Sequence, residues 1–403
     1  MPKKRILGIF ISVVLLLNIS FIPVNAETDI DEYNAVTVAK IEKNTSVFEL
    51  KAKSAIIVDA ASGNVLFEKD SHEKLAMASV TKIMTMLLVM ESVSEGKLSL
   101  DDMVPVTEHA YRMGGTQVYL KPGEQFSVWD MLKAVAIQSA NDAAVALAEK
   151  VSGSEETFVQ LMNDRAKELG MNDTHFLDSN GLTDDGQYSS AYDIGLMSKE
   201  LINKHPKILE LTCRWQDTFR NDTFSLYNTN KLVRYYTGCN GLKTGTTAKA
   251  GCNLSASAKR NNLQLIAVVL GEPDSNTRFA EARKLLDYGF ANFEAIKMAD
   301  KGEIAGKISV KKGVYLDVNG VFPDEVKLLL GKGEKSKVQR ELNMAEDLTA
   351  PVKAGQKVGT VIYKVGDKEV GKYDVVAENK VEHASFIRLF FRMMISWFDL
   401  GRL

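Results

Sequence analysis

The residues Ala78-Ser79-Val80-Thr81-Lys82 are followed by the apolar run Ile83-Met84-Thr85-Met86-Leu87-Leu88-Val89-Met90. The run predicts a buried helix with Ser79 near its start, where a serine hydroxyl can satisfy a free backbone N–H. Residues three apart lie on one helix face, so the Lys82 amine can approach the Ser79 hydroxyl. A lysine held neutral by burial and positive neighbours can take the serine proton. Backbone N–H groups at the helix start can also stabilise an oxyanion.

Ser-x-x-Lys spacing alone is a weak signal, because the sequence contains it four times. Only Ser79 opens a long apolar helix. The other pairs lie in polar, Gly-rich or Lys-rich surroundings typical of a surface: Ser71–Lys74, Ser94–Lys97 and Ser309–Lys312. The interpretation of Ser79 therefore depends on segments further along the chain.

Length and composition indicate a globular protein of more than one domain. The chain has 403 residues, of which 45% are hydrophobic and 25% charged. The net charge of −2 gives no basic signal for nucleic acid. Neither Cys-x-x-Cys nor His-Glu-x-x-His spacing occurs, and the five histidines are scattered, so we expect no metal. No cofactor is expected either.

The three cysteines, Cys213, Cys239 and Cys252, are an odd number, so at least one is unpaired or pairs between chains. A Cys239–Cys252 disulfide is the less favoured alternative. These two residues flank a predicted hairpin whose turn lies near residue 248, which leaves them out of register.

The N-terminus has the pattern of a signal peptide over residues 1–26. Lys3-Lys4-Arg5 is a positive segment, Leu7–Phe21 is mostly apolar, and Val24-Asn25-Ala26 is typical of a cleavage site. An uncleaved anchor helix is the alternative, but the apolar core is short for a membrane span. We expect the mature chain to begin near Glu27 with a polar leader over 27–50, and to act outside the cytoplasmic membrane.

Several further elements follow from pattern alone. Ser54–Asp59 and Asn64–Glu68 are β-rich runs that predict a hairpin. Glu155–Leu169 and Ser190–Lys204 predict surface helices, whereas Cys213–Leu226 has no clear pattern.

A corner between two helices contains the next candidate residues. Ser127–Gln138 predicts an amphipathic helix capped by Ser127, and a third helix opens at Ala143. Ser139 and Asn141 lie in the tight connection between them. The alternative is purely structural: Ser139 ends one helix, and Asn141 or Asp142 caps the next.

Lys243-Thr244-Gly245 occurs once, followed by Thr246 and two predicted strands over Asn253–Ala258 and Leu263–Leu270. A lysine at a strand end beside a hydroxyl can hold a carboxylate. A neighbouring glycine lets a ligand backbone lie against the strand edge. An exposed lysine that protects an edge strand from aggregation is the alternative. Arg278–Phe293 predicts a closing helix.

Ser79-x-x-Lys82, Ser139-x-Asn141 and Lys243-Thr244-Gly245 occur in the order that marks class A β-lactamases and penicillin-binding proteins. Across roughly residues 50 to 380 the sequence resembles low-molecular-weight penicillin-binding proteins, the serine-type D-alanyl-D-alanine carboxypeptidases. Asn240-Gly241 departs from the Asp-Gly usual in that family. Further segments carry the resemblance: Leu120–Gly123, Gln138–Ala143, Ser179–Leu182 and Gly241–Gly251.

The resemblance implies an α+β fold in which an antiparallel sheet carries helices on both faces. The peptidase domain is expected over 51–296 and a small all-β domain over 297–380. Short strand-like runs separated by Gly, Lys and Glu support the second domain, which we interpret as a spacer or interaction platform.

The resemblance also implies a mechanism. Ser79 attacks the carbonyl between two terminal D-alanines of a peptidoglycan stem peptide, and Lys82 takes its proton. Ser139 relays a proton to the leaving amine, and water then hydrolyses the acyl-enzyme. β-Lactams would acylate the same serine. The remaining implied roles are substrate binding by Asn141, Lys243, Thr244, Gly245 and Thr246, with an oxyanion hole from the backbone N–H groups of Ser79 and Thr246.

Two other functions remain open at this point. A class A β-lactamase needs a glutamate that activates the deacylating water, and Glu168-x-x-x-Asn172 has the literal spacing. However, Glu168 is expected on the solvent face of a helix that ends at Gly170. A catalytically inactive wall-binding scaffold that kept the fold is the other alternative.

The last segment, within 381–403, predicts an amphipathic helix. Arg388, Arg392, Ser396 and Asp399 fall in one narrow sector. We expect it to lie in the membrane interface with its arginines near anionic headgroups, which places the enzyme on the outer face of the cytoplasmic membrane. A helix packed on the protein or in a dimer is the alternative. The opposite sector contains Phe386, Phe390, Met393, Trp397 and Leu400.

Overall fold

The computed structural model describes residues 49–183 and 185–400, except for the side chains of Ser396, Phe398, Asp399 and Leu400. The expected signal peptide and nearly all of the leader lie outside the described residues.

The strands before residue 275 are β1 (Ser54–Asp59), β2 (Val65–Lys69), β3 (Met103–Pro105), β4 (Gln125–Ser127), β5 (Gln216–Phe219), β6 (Phe224–Tyr227), β7 (Cys239–Thr247), β8 (Gly251–Arg260) and β9 (Leu263–Glu272). The helices up to residue 292 are α1 (Lys82–Ser94), α2 (Glu108–Tyr111), α3 (Val128–Lys133), α4 (Asn141–Ser152), α5 (Glu155–Glu168), α6 (Ala191–Lys204), α7 (Leu209–Thr212), α8 (Leu232–Tyr235) and α9 (Ser275–Asn292).

Five antiparallel strands form the central sheet in the order β2-β1-β9-β8-β7. The predicted hairpin is confirmed as β1 and β2. Ile56 of β1 lies opposite Val268 of β9, and every residue of β1 is buried. Such a strand needs cover on both faces, because it offers apolar side chains to each. The edge strand β7 contains Lys243, Thr244 and Gly245.

Helices cover both faces of this sheet, which confirms the predicted α+β fold. On one face α9 packs Leu285 and Leu286 against Ile57 and Leu265. The other face carries a helical lobe whose core includes residues of α1, α3, α4 and α6. Helix α1 is the centre of that lobe, since its residues from Lys82 to Met90 are all buried. The turn that contains Ser79, Ala78–Thr81, lies between this lobe and strand β7.

The predicted helix over 127–138 is split into α3 and a π-helical turn, Ala134–Gln138. Ser127 caps α3 as predicted and accepts a hydrogen bond from Asp130 N. The purely structural interpretation of the connection that contains Ser139 and Asn141 is only partly correct. Ser139 does end the π-helical turn, but neither Asn141 nor Asp142 is the N-cap of α4; that residue is Ala140, which makes no side-chain cap.

The segment without a sequence pattern, Cys213–Leu226, contains most of the β5–β6 hairpin. Its turn uses Arg220, Asn221 and Asp222, all with positive φ. The three cysteines are free thiols. Cys239 lies opposite Ala258 and Cys252 opposite Thr246, so the disulfide alternative is excluded.

A second domain, all-β as predicted, follows α9. Its strands form a two-stranded sheet, β10-β13, and a six-stranded sheet, β14-β16-β17-β12-β11-β15. The first strand spans the boundary that we placed at 296/297. The strands are β10 (Phe293–Ala299), β11 (Ile304–Lys311), β12 (Asp317–Val321), β13 (Val326–Gly331), β14 (Val338–Met344), β15 (Asp347–Thr349), β16 (Lys357–Val365) and β17 (Lys368–Ala377).

Helix α10, Phe386–Leu400, ends the described chain. Most of its described apolar side chains are exposed, with Phe386 and Trp397 each 82% accessible. Arg392, which we expected near anionic headgroups, instead donates hydrogen bonds to the carbonyls of Gly313 and Val314. Among the described helices, none has both the length and the hydropathy needed to cross a membrane.

Candidate active site

Ser79 lies in a 3-10 turn, Ala78–Thr81, that leads directly into α1. Lys82 begins α1 and is completely buried. The Lys82 Nζ lies 3.0 Å from the Ser79 Oγ. The spacing that predicted a nucleophile with its base thus brings the two atoms within hydrogen-bond distance.

Two other groups hold the Lys82 amine. Nζ donates to Asn141 Oδ1 at 2.7 Å and to the backbone carbonyl of Asn180. Burial lowers the pKa of Lys82 to about 7, although the charges of Asp178 and Asp142 oppose this shift. A neutral amine has two N–H groups and one lone pair. With both N–H groups donated to Asn141 and Asn180, the lone pair is left for the Ser79 hydroxyl.

The Asn180 carbonyl is fixed by a tight loop after α5. Asp178 accepts hydrogen bonds from Gly181 N at 2.6 Å and Thr183 N at 2.7 Å. Gly181 has φ +80°, and a Cβ there would lie 2.0 Å from Ala78 O and 2.8 Å from Ser79 N. Only glycine permits this approach. The loop therefore packs directly on the backbone of the nucleophile.

Ser139 is buried and adopts a left-handed conformation, φ 68°, at the end of the π-helical turn. This bend directs the chain into α4, and Asn141 at its start reaches Lys82. Asn141 Nδ2 also donates to Gly114 O at 2.8 Å, which places the Gly114-Gly115 loop beside the site. The buried carboxylate of Asp142 accepts from Leu120 N at 3.0 Å and from Val118 N. Asp142 thus anchors the loop that borders the Ser139 corner.

Strand β7 closes the other side of the cleft. A Cβ on Gly245 would lie 2.6 Å from Met77 O and 3.0 Å from Ser79 N, so the strand touches the backbone of the nucleophile. Thr244 Oγ1 donates to Thr229 Oγ1 at 2.7 Å, and Thr229 N donates to Ile137 O at 3.2 Å. These bonds connect the strand to the Ser139 corner.

Lys243 is 1% exposed, and its Nζ donates to Thr244 O at 3.0 Å. Burial holds the pKa of Lys243 well below its ordinary value, and the positive charges of Lys82 and Arg278 lower it further. An anion bound here would favour the protonated form of Lys243, because a nearby opposite charge raises the pKa of a lysine.

Arg278, in the first turn of α9, borders the predicted site, and the sequence did not reveal this position. Its Nη1 lies 3.0 Å from Thr246 Oγ1 and 3.3 Å from Gly245 O. The side chain is 5% exposed, and Nε makes no hydrogen bond within the described part of the chain. The only signal available was an arginine at the start of a predicted helix, which gives no indication of a partner thirty residues earlier.

Asn240, the departure from the family pattern, does not enter the cleft. Its amide forms a reciprocal pair with the Gln264 amide, with Nδ2–Oε1 and Nε2–Oδ1 distances of 3.2 and 3.1 Å. Its Oδ1 also accepts from Ser257 Oγ at 2.7 Å. An ionised aspartate could not donate in this pair. Asparagine at position 240, in place of the usual aspartate, therefore changes hydrogen bonds among strands β7, β8 and β9. It does not change the side chains around Ser79.

The predicted site residues therefore lie along one cleft, with Ser79 between Lys82 and strand β7. The glutamate of the β-lactamase alternative does not join them in any hydrogen bond. Glu168 ends α5, its side chain is 65% exposed, and it pairs with Arg165 at 3.1 Å. Nothing in this position supports a deacylating base.

A serine beside a buried lysine amine, bordered by a Ser-x-Asn corner and a cationic strand edge, defines an acyl-transferring serine hydrolase of the penicillin-binding class. Residues 39–274 match the family described as D-alanyl-D-alanine carboxypeptidase, and 293–383 match the C-terminal domain of penicillin-binding protein 5. The chain belongs to the D-alanyl-D-alanine carboxypeptidase family and is a serine-type enzyme of that family. The predicted resemblance is confirmed.

Individual relatives agree with this assignment. The D-alanyl-D-alanine carboxypeptidase DacF of Bacillus subtilis is 42% identical over 359 residues, which cover 88% of this chain and 92% of DacF. Penicillin-binding protein 5 of Haemophilus influenzae has a similar structure, with a TM-score of 0.74, 32% identity, and coverage of 83% of this chain and 99% of that one. Penicillin-binding protein D2 of Listeria monocytogenes, solved in its ampicillin-bound form, gives a TM-score of 0.56 with 33% identity over 60% of this chain and 98% of its own.

Proposed function

We propose that Ser79 is the nucleophile and Lys82 the base of a D-alanyl-D-alanine carboxypeptidase that shortens peptidoglycan stem pentapeptides by one residue. One observation carries the assignment: the buried Lys82 Nζ lies 3.0 Å from Ser79 Oγ, while the oxygens of Asn141 and Asn180 accept its other hydrogen bonds. Proton transfer along that contact makes the hydroxyl a nucleophile.

Lys243 and Thr244 hold the terminal carboxylate of the peptide, and Arg278 adds a second cation through its contact with Thr246. The carboxylate then sets the position of the scissile carbonyl against Ser79, because the clamp lies on the strand that touches the Ser79 backbone. The N–H groups of Ser79 and Thr246 stabilise the oxyanion. Ser139 passes the proton to the leaving D-alanine, Asn141 binds the substrate amide, and water releases the shortened peptide.

The catalytic proposal is tested by incubating the purified chain with a stem pentapeptide and measuring free D-alanine. Ser79→Ala should abolish release, because the hydroxyl that the Lys82 amine would activate is then missing. Ser309→Ala is the matched control, since Ser309 has the same Ser-x-x-Lys spacing in the second domain and should leave the rate unchanged. Continued release by Ser79→Ala would disprove the assignment of the nucleophile.

Acylation of Ser79 can also be followed directly with a labelled penicillin. A carboxypeptidase forms a stable label at Ser79, a β-lactamase turns the drug over rapidly, and an inactive scaffold takes no label. Stable labelling that disappears in Ser79→Ala supports the carboxypeptidase over both alternatives.

The enzyme is proposed to be exported and held on the outer face of the cytoplasmic membrane. Support comes from the signal-peptide pattern and from α10, whose exposed face is apolar and aromatic. A chain ending at Glu382 should remain in the supernatant when membranes are sedimented, while the chain with α10 pellets. If the shortened chain still pellets, the role of α10 as anchor is wrong.

A further inference from the structure

A buried carboxyl group lies at the end of strand β9. Glu272 is completely buried, and neither of its carboxyl oxygens receives a hydrogen bond from the described part of the chain. An ionised carboxylate without donors is costly to bury, because nothing replaces its solvation. The surroundings of Glu272 therefore favour the protonated acid, which needs an acceptor for its O–H group.

Glu281 of α9 supplies this acceptor. Its Oε1 accepts a hydrogen bond from Lys51 N at 2.7 Å and its Oε2 accepts one from Ala52 N at 3.0 Å, as the oxygens of an ionised carboxylate do. The carboxyl groups of Glu281 and Glu272 are also hydrogen-bonded to each other. Since Glu281 receives N–H donors and Glu272 receives none, the proton between the two groups belongs to Glu272.

The charges around Glu272 keep it protonated near neutral pH. Burial raises the pKa of Glu272 to about 8, and the hydrogen bond with Glu281, the charge of Glu281 and that of Asp274 add to this shift. Lys69 opposes the shift, but its amine donates to two backbone carbonyls of the segment before β1. The other titratable or charged groups near the two carboxyl groups are Lys51, Lys53, Cys252, Arg278 and Lys284.

Glu272 lies in one row with a side chain that binds Arg278. Thr246 of β7 is opposite Cys252 of β8, and Cys252 is opposite Glu272, so the three side chains share one face of the sheet. Arg278 lies on this face, where its Nη1 donates to Thr246 Oγ1 at 3.0 Å. Glu281 follows Arg278 by three residues and is on the same side of α9. The two carboxyl groups are thus adjacent to Arg278.

Every hydrogen-bond acceptor of Arg278 within the described residues is neutral. A protonated Glu272 adds no charge, so the guanidinium remains uncompensated and can attract an anion in the cleft. An ionised Glu272 would offset that positive charge, because the two groups are close enough to interact electrostatically. The neutral acceptors are Gly245 O, Asn253 O, Thr246 Oγ1 and Ser275 Oγ.

We propose that Glu272 is a positioning residue for the terminal carboxylate of the substrate: it shares one proton with Glu281 and, by staying neutral, keeps the charge of Arg278 available to that carboxylate. The inference rests on the role of Arg278 proposed above and adds a group that does not touch the peptide. Loss of the shared proton at alkaline pH places a second negative charge beside Arg278 and weakens binding of the carboxylate.

The test measures kcat/KM for release of the terminal residue from two pentapeptides, one with a free terminal carboxylate and one with an amidated terminus. Their ratio cancels the titration of Lys82, because Lys82 acts on both peptides. In the wild type the ratio should fall about tenfold between about pH 7 and about pH 9, as Glu272 ionises.

Glu272→Gln should keep the ratio nearly constant over the same range, since glutamine can donate to Glu281 and cannot ionise. Asp287→Asn is the matched control: it neutralises an exposed carboxylate of the same helix, which accepts from Tyr236 Oη, and should follow the wild type. A constant ratio in the wild type, or equal falls in the wild type and Glu272→Gln, would overturn the inference and leave the carboxypeptidase assignment standing. Failure of the wild type to release a residue from either peptide would overturn both.

Infrared spectroscopy reads the shared proton without turnover. The wild type at pH 7 should show the absorption of a protonated carboxyl group that disappears by about pH 9, and Glu272→Gln should lack a band with this pH dependence. Absence of the band from the wild type would overturn the inference even if the variant does not fold. The same band in a folded Glu272→Gln variant would assign the proton to another carboxyl group and overturn it as well.

Discussion

The two domains place charge in opposite ways. The first domain buries Lys82, Lys243, Arg278 and Asp142 along one cleft. In the second domain, none of the described side chains that are buried is charged, and pairs such as Lys364–Glu341 lie at the surface. Burying a charge costs several kcal/mol unless it is paired or hydrogen-bonded.

This difference suggests that the first domain determines turnover and the second determines where the enzyme is held. The first domain contains buried charges around Ser79, whereas the second has an apolar core without them among its described residues. Variants of Lys82, Lys243 and Arg278 should therefore change turnover, and variants of the second domain should change where the enzyme resides. Each prediction below would strengthen or break this contrast.

The largest effect is expected from removing the base. Lys82→Met keeps the shape of the side chain but leaves Ser79 without a proton acceptor, and should lower the rate of acylation by penicillin about a thousandfold. The measurement is the rate of covalent labelling. Lys312→Met, from the Ser309–Lys312 pair in the second domain, is the control and should label at the normal rate. Equal losses in both variants would contradict the contrast between the domains.

The pH dependence of acylation should report the same amine. Since burial lowers the pKa of Lys82 to about 7, the neutral fraction grows as pH rises through that value. Acylation should therefore increase about tenfold per pH unit below the pKa and level off above it. Stopped-flow labelling across this range checks the sign. A rate that falls as pH rises would mean that the protonated amine is the active form.

A smaller effect is expected at the carboxylate clamp. Arg278→Leu should lower kcat/KM for a pentapeptide with a free terminal carboxylate about tenfold to a hundredfold, because a charged hydrogen bond is lost. The same peptide with an amidated terminus should be affected much less. Arg283→Leu is the control on the same helix, where the side chain donates to Tyr235 O at an exposed site. Equal losses on both peptides would show that Arg278 acts only on folding.

Asp142 should matter for stability more than for chemistry. Asp142→Leu leaves the N–H groups of Val118 and Leu120 without their acceptor and should lower the free energy of unfolding by about 3 kcal/mol. Denaturant melts monitored by tryptophan fluorescence measure this change. Asp164→Leu, on the exposed side of α5, should change stability by less than about 0.5 kcal/mol. A stable Asp142→Leu variant would show that the loop does not need its buried anchor.

The smallest effect on turnover is expected in the second domain. Arg392→Gln removes the bonds that orient α10 and should leave kcat/KM on a soluble pentapeptide unchanged. It should instead weaken sedimentation of the protein with vesicles, because α10 is no longer fixed to the loop after β11. A loss of turnover comparable to that of Lys82→Met would remove the distinction between the domains.

Local pattern predicted the elements of the site whose partners are close in sequence. The apolar run after Ser79 indicated a buried helix, and its spacing placed Lys82 beside the nucleophile, as the structure has it. The β1–β2 hairpin and the all-β second domain followed from alternation and turn residues. The order of the three short motifs indicated a family, and the fold of that family predicted how the motifs come together.

Contacts between residues that are far apart in the sequence could not be predicted from local pattern. Arg278 reaches strand β7 from α9, and Asp142 binds the N–H groups of a loop more than twenty residues earlier. The Asn180 carbonyl is a backbone group, and no residue type marks its role. Arg392 fell in the polar sector of α10 as predicted, but periodicity could not show that this sector binds the domain.

The most direct test of the central claim is a peptide map of the protein after reaction with benzylpenicillin, read by mass spectrometry. If Ser79 is the residue that Lys82 activates, the penicilloyl group should be found on the peptide that contains Ser79 and on no other. An adduct on Ser139 or elsewhere, with Ser79 unmodified, would contradict the account.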